Sequence, residues 1–146
     1  MRLTVLCAAL AMLMTFAAQA GSADAEVMQP IQRFFDAFAK RDKAGMMAET
    51  VPQANLMSER EGALRQLSLE ALADRIVTVQ PGAAIAETIH DPVIHVDQTL
   101  AAVWAPYRFT INGKPDHCGV DAITLLKLDG HWRIVGISDD SQKSCE

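Results

Sequence analysis

The sequence predicts a single α+β domain, with helices in its first half and an antiparallel sheet in its second. Three observations predict it. Apolar residues recur at helical spacing up to about residue 80, then alternate with polar ones from Ala84 onward. Two dipeptides that tolerate the positive φ of tight hairpins, Asn112-Gly113 and Asp129-Gly130, punctuate the second half. Half of the 146 residues are apolar, enough for one core but not for two domains of ordinary size. Helices followed by a meander place the helices on one face of the sheet.

The chain opens on an expected signal peptide, Met1–Ala20. Arg2 supplies a positive charge, Leu3 to Ala18 is apolar apart from Thr4 and Thr15, and Ala18-Gln19-Ala20 fits the small-x-small cleavage pattern. The apolar stretch falls short of the ~20 residues that span a bilayer. The expectation is export to the periplasm or outside the cell, a mature domain over 21–146, and no membrane attachment after cleavage. Loss of Cys7 then leaves Cys118 and Cys145, for which a disulfide is the default in an oxidising compartment. Two free thiols, or a nucleophile, are the alternatives; His117, adjacent on a strand, points to the opposite face from Cys118 and is poorly placed to activate it.

In the mature chain, Ile31, Phe34, Phe35 and Phe38 mark one buried helix face, extended backwards by Val27. Pro30 fits only a first turn, so this helix is expected from about 27–30 to Lys40-Arg41. Asp42 can cap a short second helix carrying Met46 and Met47. Ala54–Met57 and Ala63–Leu67 read as two short strands around a turn. Ser68 caps a third helix with Leu69, Leu72, Ala73 and Ile76 as its apolar stripe, ended by Gln80-Pro81-Gly82. Four strands follow, at about 84–96, 99–111, 117–128 and 131–140.

The 13 basic against 18 acidic side chains give a net charge of −5, and no Lys/Arg run offsets it, which argues against nucleic acid. His90, His95, His117 and His131 lack zinc spacings, and the chain has neither a Gly-rich phosphate loop nor a nucleophile elbow. No metal or cofactor is expected.

The order of elements resembles the nuclear-transport-factor-2-like superfamily, whose cone-shaped fold wraps a curved antiparallel sheet around about three N-terminal helices. Val103-Trp104-Ala105-Pro106-Tyr107, Asn112-Gly113-Lys114, His117-Cys118-Gly119-Val120-Asp121-Ala122 and Gly130-His131-Trp132-Arg133-Ile134 are similar to a group of small exported members, lumazine-binding-like or SnoaL-like, of mostly unknown function. The superfamily spans isomerases, cyclases, hydrolases and non-catalytic modules, so the resemblance implies a fold rather than a reaction.

Strand parity sorts the sheet into two faces. With Leu128 opposite His131 and regular pairing beyond, one face carries Tyr107, Phe109, Cys118, Thr124, Leu126, Arg133, Ile137 and Asp139, and suits the Phe-rich helix. The other carries Trp104, Arg108, His117, Asp121, Ile123, Leu125, Trp132 and Ile134, a mixture that suits a homodimer interface. A bulge would exchange the faces beyond it.

The expected function is an exported module binding a small apolar or aromatic ligand. Its cavity would be lined by Phe34, Phe38, Tyr107, Phe109 and Leu126, with the Tyr107 hydroxyl, Thr124 or Asp139 fixing orientation. The alternatives are an isomerase, cyclase or hydrolase using a pocket carboxylate, or a structural or protein-interaction domain. The carboxylate would be Asp139 beside Tyr107, or Asp121 with Arg108. The plain readings are an exposed strand-end carboxylate for Asp139 and a surface ion pair for Asp121. Ketosteroid isomerases, which the resemblance brings in, carry a tyrosine on the first helix; here that helix offers phenylalanines, and Tyr107 is the sole tyrosine.

Overall fold

The computed structural model describes residues 15–60 and 62–145. Three helices, α1 (Thr15–Ala39), α2 (Lys43–Ala48) and α3 (Leu69–Thr78), pack on a curved, unclosed sheet. Its strands are β1 (Thr50–Arg60), β2 (Ala63–Ser68), β3 (Ile85–Ile89), β4 (Val93–Asp97), β5 (Leu100–Ile111), β6 (Lys114–Leu128) and β7 (His131–Gln142). The strand order is β2-β1-β7-β6-β5-β3, with β4 also on β5. The sheet is mixed rather than purely antiparallel, because β1 runs parallel to β7. That pairing brings together strands separated by most of the chain, which no hairpin signal could announce.

Helix α1 starts before the position that Pro30 suggested. It runs through Pro30, whose ring is fully buried, so packing offsets the one backbone hydrogen bond a proline forfeits. The helix covers both sides of the expected cleavage position, while the apolar segment before Thr15 lies outside the described residues. Asp42 caps α2 through Gly45 N–H and Ser68 caps α3 through Ala71 N–H, as the sequence suggested. The expected strand 84–96 is broken at His90-Asp91-Pro92, where Asp91 has φ of 45° and Pro92 lacks a donor. Both halves still pair along β5. Asn112-Gly113 and Asp129-Gly130 form tight turns, with φ between 50° and 80° at all four residues.

Two one-residue bulges decide which side chains meet the helices. Asp116 is the extra residue between β5 and β6: Ile111 faces Lys114, but Phe109 faces His117. Val135 is the extra residue between β6 and β7: Leu125 faces Ile134, but Thr124 faces Gly136. Past the bulges, odd positions of β5, β6 and β7 share one face. The expected sorting is therefore wrong for β6 and for the start of β7. Ile123, Leu125, Trp132 and Ile134 belong to the core with Phe34, Phe38, Val103 and Ile137. Thr124, Leu126 and Cys118 turn to the outer face, beside the exposed Trp104. Among the described residues no helix is long and apolar enough to cross a membrane.

Candidate functional site

A cavity of about 230 Å³ lies between the helices and the sheet. Its apolar walls follow from helical spacing: Phe34 and Phe38 lie one turn apart on α1, and Leu72 and Ile76 one turn apart on α3, facing Leu56, Phe109 and Ile137 of the sheet. The Phe38 and Phe109 rings meet edge to face at 6.1 Å between centroids. One end of this apolar space is polar, lined by Arg60, Glu87, Tyr107, His117, Asp121 and Asp139.

Register explains the polar cluster. Ala105, Asp121 and Asp139 are aligned across β5, β6 and β7, and Tyr107 is aligned with Gly119 and Ser141. A Cβ at position 119 would fall 1.8 Å from the Asp140 carbonyl oxygen, so only glycine fits there. Its bare backbone also lets the Tyr107 ring pass over β6 to β7. The Tyr107 hydroxyl donates to Asp139 Oδ1 at 3.0 Å and lies 3.3 Å from the Asp140 carbonyl. Arg60 Nη2 donates to the other carboxylate oxygen, Oδ2, at 2.5 Å. Asp139 is thus held on both oxygens, in an ion pair whose side chains are 13% (Asp139) and 36% (Arg60) exposed. The expected pairing of Tyr107 with Asp139 is present, but the hydroxyl proton goes to Asp139 rather than towards a ligand.

Asp121 differs. It is 4% exposed and makes no ion pair among the described residues. Burial, reinforced by the negative charge of Asp139, raises its pKa to about 7, while Glu87 and Arg60 act in the opposite direction. Glu87, projecting from β3 between the inward-facing Ile85 and Ile89, is pushed well above the usual carboxylate range by desolvation and then by Asp121. The Tyr107 hydroxyl is likewise pushed far up, by burial first and Asp139 second.

The bulge at Asp116 has a chemical consequence. Neighbours on a regular strand point to opposite faces, yet here Asp116 Oδ2 lies 2.8 Å from His117 Nδ1. A carboxylate only accepts, so Nδ1 carries the proton and Nε2 is the ring's remaining polar atom. That bond, with Lys143, holds the Asp116 carboxyl below its ordinary range. The His117 ring stacks on Phe109 at 4.7 Å.

Of the residues singled out from sequence, Phe34, Phe38, Tyr107, Phe109, Asp121 and Asp139 line this cavity. Thr124 and Leu126 do not: with β6 reversed beyond the bulge they occupy the outer face. Arg108 is on that outer face too, so its proposed pairing with Asp121 does not form. Arg60, Glu87 and His117 are the members that sequence reading missed. Glu87 carried a signal, a carboxyl in the apolar row Ile85-x-Glu87-x-Ile89, whereas Arg60 reaches the site only through the non-local β1–β7 pairing. The described residues contain no cluster of His, Cys, Asp and Glu able to hold a metal ion. Cys118 and Cys145 form a disulfide, with Cα atoms 5.8 Å apart.

A chain whose three helices are followed by a curved, unclosed mixed sheet of this kind has the nuclear-transport-factor-2-like fold. Residues 22–137 match the family described as "Putative lumazine-binding", and the chain belongs to that family. Solved structures agree in fold. A protein of unknown function from Mycobacterium tuberculosis superposes with a TM-score of 0.74 at 16% identity, over 88% of this chain and 77% of that one. A nuclear-transport-factor-2-like protein of unknown function from Shewanella baltica gives 0.64 at 21% identity, over 85% and 97%. A protein described as "Putative Scytalone Dehydratase" from Novosphingobium aromaticivorans gives 0.68 at 13% identity, over 89% and 93%. No curated protein matches the chain.

Proposed function

We propose that the chain is an exported small-molecule-binding module whose ligand, apolar or aromatic in its body, occupies the cavity between α1, α3 and the sheet. The observation that carries this reading is an apolar cavity of about 230 Å³ with polar groups gathered at one end. Apolar walls supply affinity and a few placed polar groups fix orientation, which is how small-ligand sites are generally built. The family description points the same way. Native mass spectrometry of protein purified from its own host tests the reading. The expected result is an adduct of a few hundred daltons that the cavity-filling variant Ile137→Trp no longer carries. Bare wild-type protein that also fails to take up a small aromatic probe such as 2-naphthol would overturn it.

A second reading, proton-transfer catalysis, is favoured by one observation: Asp121 is a buried carboxyl that titrates near 7, in the range useful to an acid or base at neutral pH. On this reading Asp121, rather than the doubly held Asp139, moves the proton. Asp121→Asn would then abolish turnover of the recovered ligand, and Asp139→Asn would slow it less. Equal rates for Asp121→Asn and wild type would remove it.

Export rests on the Ala18-Gln19-Ala20 site and on the Cys118–Cys145 disulfide, a bond suited to an oxidising compartment. A mature domain beginning at Gly21 is the corresponding proposal, checked by amino-terminal sequencing of protein taken from cells. Pairing of two copies through the outer sheet face around Trp104 completes the proposed organisation.

A further inference from the structure

The charge lining the cavity defines the ligand more narrowly than its shape does. Three carboxyl groups line it, Glu87, Asp121 and Asp139, against one guanidinium, Arg60. That guanidinium is committed to Asp139. Asp121, although 4% exposed, makes no ion pair among the described residues: Arg60 acts on it only through its field, and its acidic neighbours are Glu87 and Asp139. Buried carboxylates without a counter-charge are costly, and such groups normally keep their protons or find a cation. The remaining walls are apolar, part aliphatic and part aromatic. Phe34, Phe38 and Phe109 are among the lining residues, and aromatic rings attract cations through their quadrupole, most of all where water is excluded.

We propose that this cavity selects a small organic cation, a primary or substituted ammonium on an apolar body, with its charged head at Asp121 and Glu87 and its body among Phe34, Phe38 and Phe109. The proposal rests on the small-molecule reading above and deepens it. A neutral ligand of the same shape would fill the space but give Asp121 and Glu87 no counter-charge, and an anion would be repelled by any carboxylate that ionised.

Proton balance makes the proposal testable. In the empty site Asp121 and Glu87, both displaced upward by burial, favour their protonated forms; an entering ammonium replaces one of these protons, which leaves to solvent. Binding therefore releases a proton below about pH 7, and affinity rises with pH until Asp121 is ionised without help. The groups facing Asp121 are Glu87 from β3, Tyr107 from β5, His117 from its own strand, Asp139 from β7 and Arg60 from β1, while α1 and α3 line the cavity with apolar side chains alone.

Three probes of one shape, benzylamine, benzyl alcohol and benzoate, separate the possibilities in calorimetric titrations of the full chain at pH 6 and pH 8. Benzylamine is expected to bind about tenfold or more tighter than benzyl alcohol at pH 8, as a charge-assisted contact over a neutral one predicts. It should bind more weakly at pH 6, with proton release visible as a buffer-dependent heat, and benzoate should bind worst. Asp121→Asn and, separately, Glu87→Gln should each narrow the preference for the amine. Benzyl alcohol binding as tightly as benzylamine, or benzoate binding tightest, overturns the cation proposal and leaves the small-molecule reading standing. If all three fail to bind at millimolar concentration, the cation proposal falls, and the native mass spectrum with the 2-naphthol test decides the small-molecule reading separately.

Discussion

At the residue scale Asp121 is the group whose behaviour is easiest to check, because its titration is tied to stability. Its pKa is raised in the folded chain to about 7, from an ordinary value near 4. A carboxyl with a raised folded pKa binds its proton more tightly folded than unfolded. Its contribution to stability is complete below about pH 4 and is lost as pH climbs through about 7. Glu87, displaced in the same direction by burial and by Asp121, steepens the loss. Asp121→Asn keeps a neutral side chain of similar shape that no longer titrates. The wild type should therefore lose stability relative to this variant between pH 5 and pH 8, each unit of pKa shift counting about 1.4 kcal/mol before sharing with Glu87 is allowed for. Urea unfolding at the two pH values measures the difference. Parallel losses in the two proteins would show that Asp121 ionises freely in the folded chain.

At the scale of elements, Arg41 ties two helices together. Arg41 ends α1 in the left-handed region, at φ 57°. Its guanidinium donates to the carbonyls of Ile76 and Val79 at 2.7 Å each, Gln80 at 3.1 Å and Ala83 at 2.8 Å, closing the C-terminal end of α3. Arg41→Ala should cost about 1–3 kcal/mol in urea unfolding, the usual worth of hydrogen bonds from a charged donor. Arg41→Lys should recover little, since one ammonium cannot reach four carbonyls in a fixed fork. An unchanged midpoint in either variant would mean that α3 ends equally well without the clamp. Elements of this kind were largely legible: Asp42 and Ser68 announced α2 and α3, and the two glycine turns announced their hairpins. The bulges were not. From Val120 to Leu128 strand β6 is apolar at both odd and even positions, so alternation could not choose its buried face. In β7 the spacing Trp132-x-Ile134-x-x-Ile137 was the one visible trace of an extra residue. Because two bulges lie between β5 and the end of β7, Tyr107 and Asp139 were placed together correctly, while Asp121 and His117, on the strand between, were assigned to the wrong face.

At the scale of the whole molecule, the disulfide and the outer sheet face make separate predictions. Cys118 and Cys145 are 27 residues apart, and closing such a loop contributes about 3.5 kcal/mol in the chain-entropy model, so reduction should lower the unfolding midpoint without changing the fold. Two titratable thiols in the denatured, unreduced protein would remove the bond and the redox argument for export. The outer face carries Trp104 at 56% exposure among Val93, Leu100 and Leu128, all exposed. So much apolar surface is unusual for a face that meets only water. A stable interface covers about 800 Å² per partner, and a large central aromatic is the side chain whose burial contributes most to one. Trp132, placed by simple alternation on the same face, is instead buried in the core at 7% exposure and serves as an internal control. Light scattering at tens of micromolar should report a dimer for the wild type and a monomer for Trp104→Glu. Iodide should quench no tryptophan in the dimer, and Trp132 should stay protected in the monomer too. A wild-type monomer in which Trp104 is freely quenched would leave this face solvated and place any partner elsewhere on the molecule.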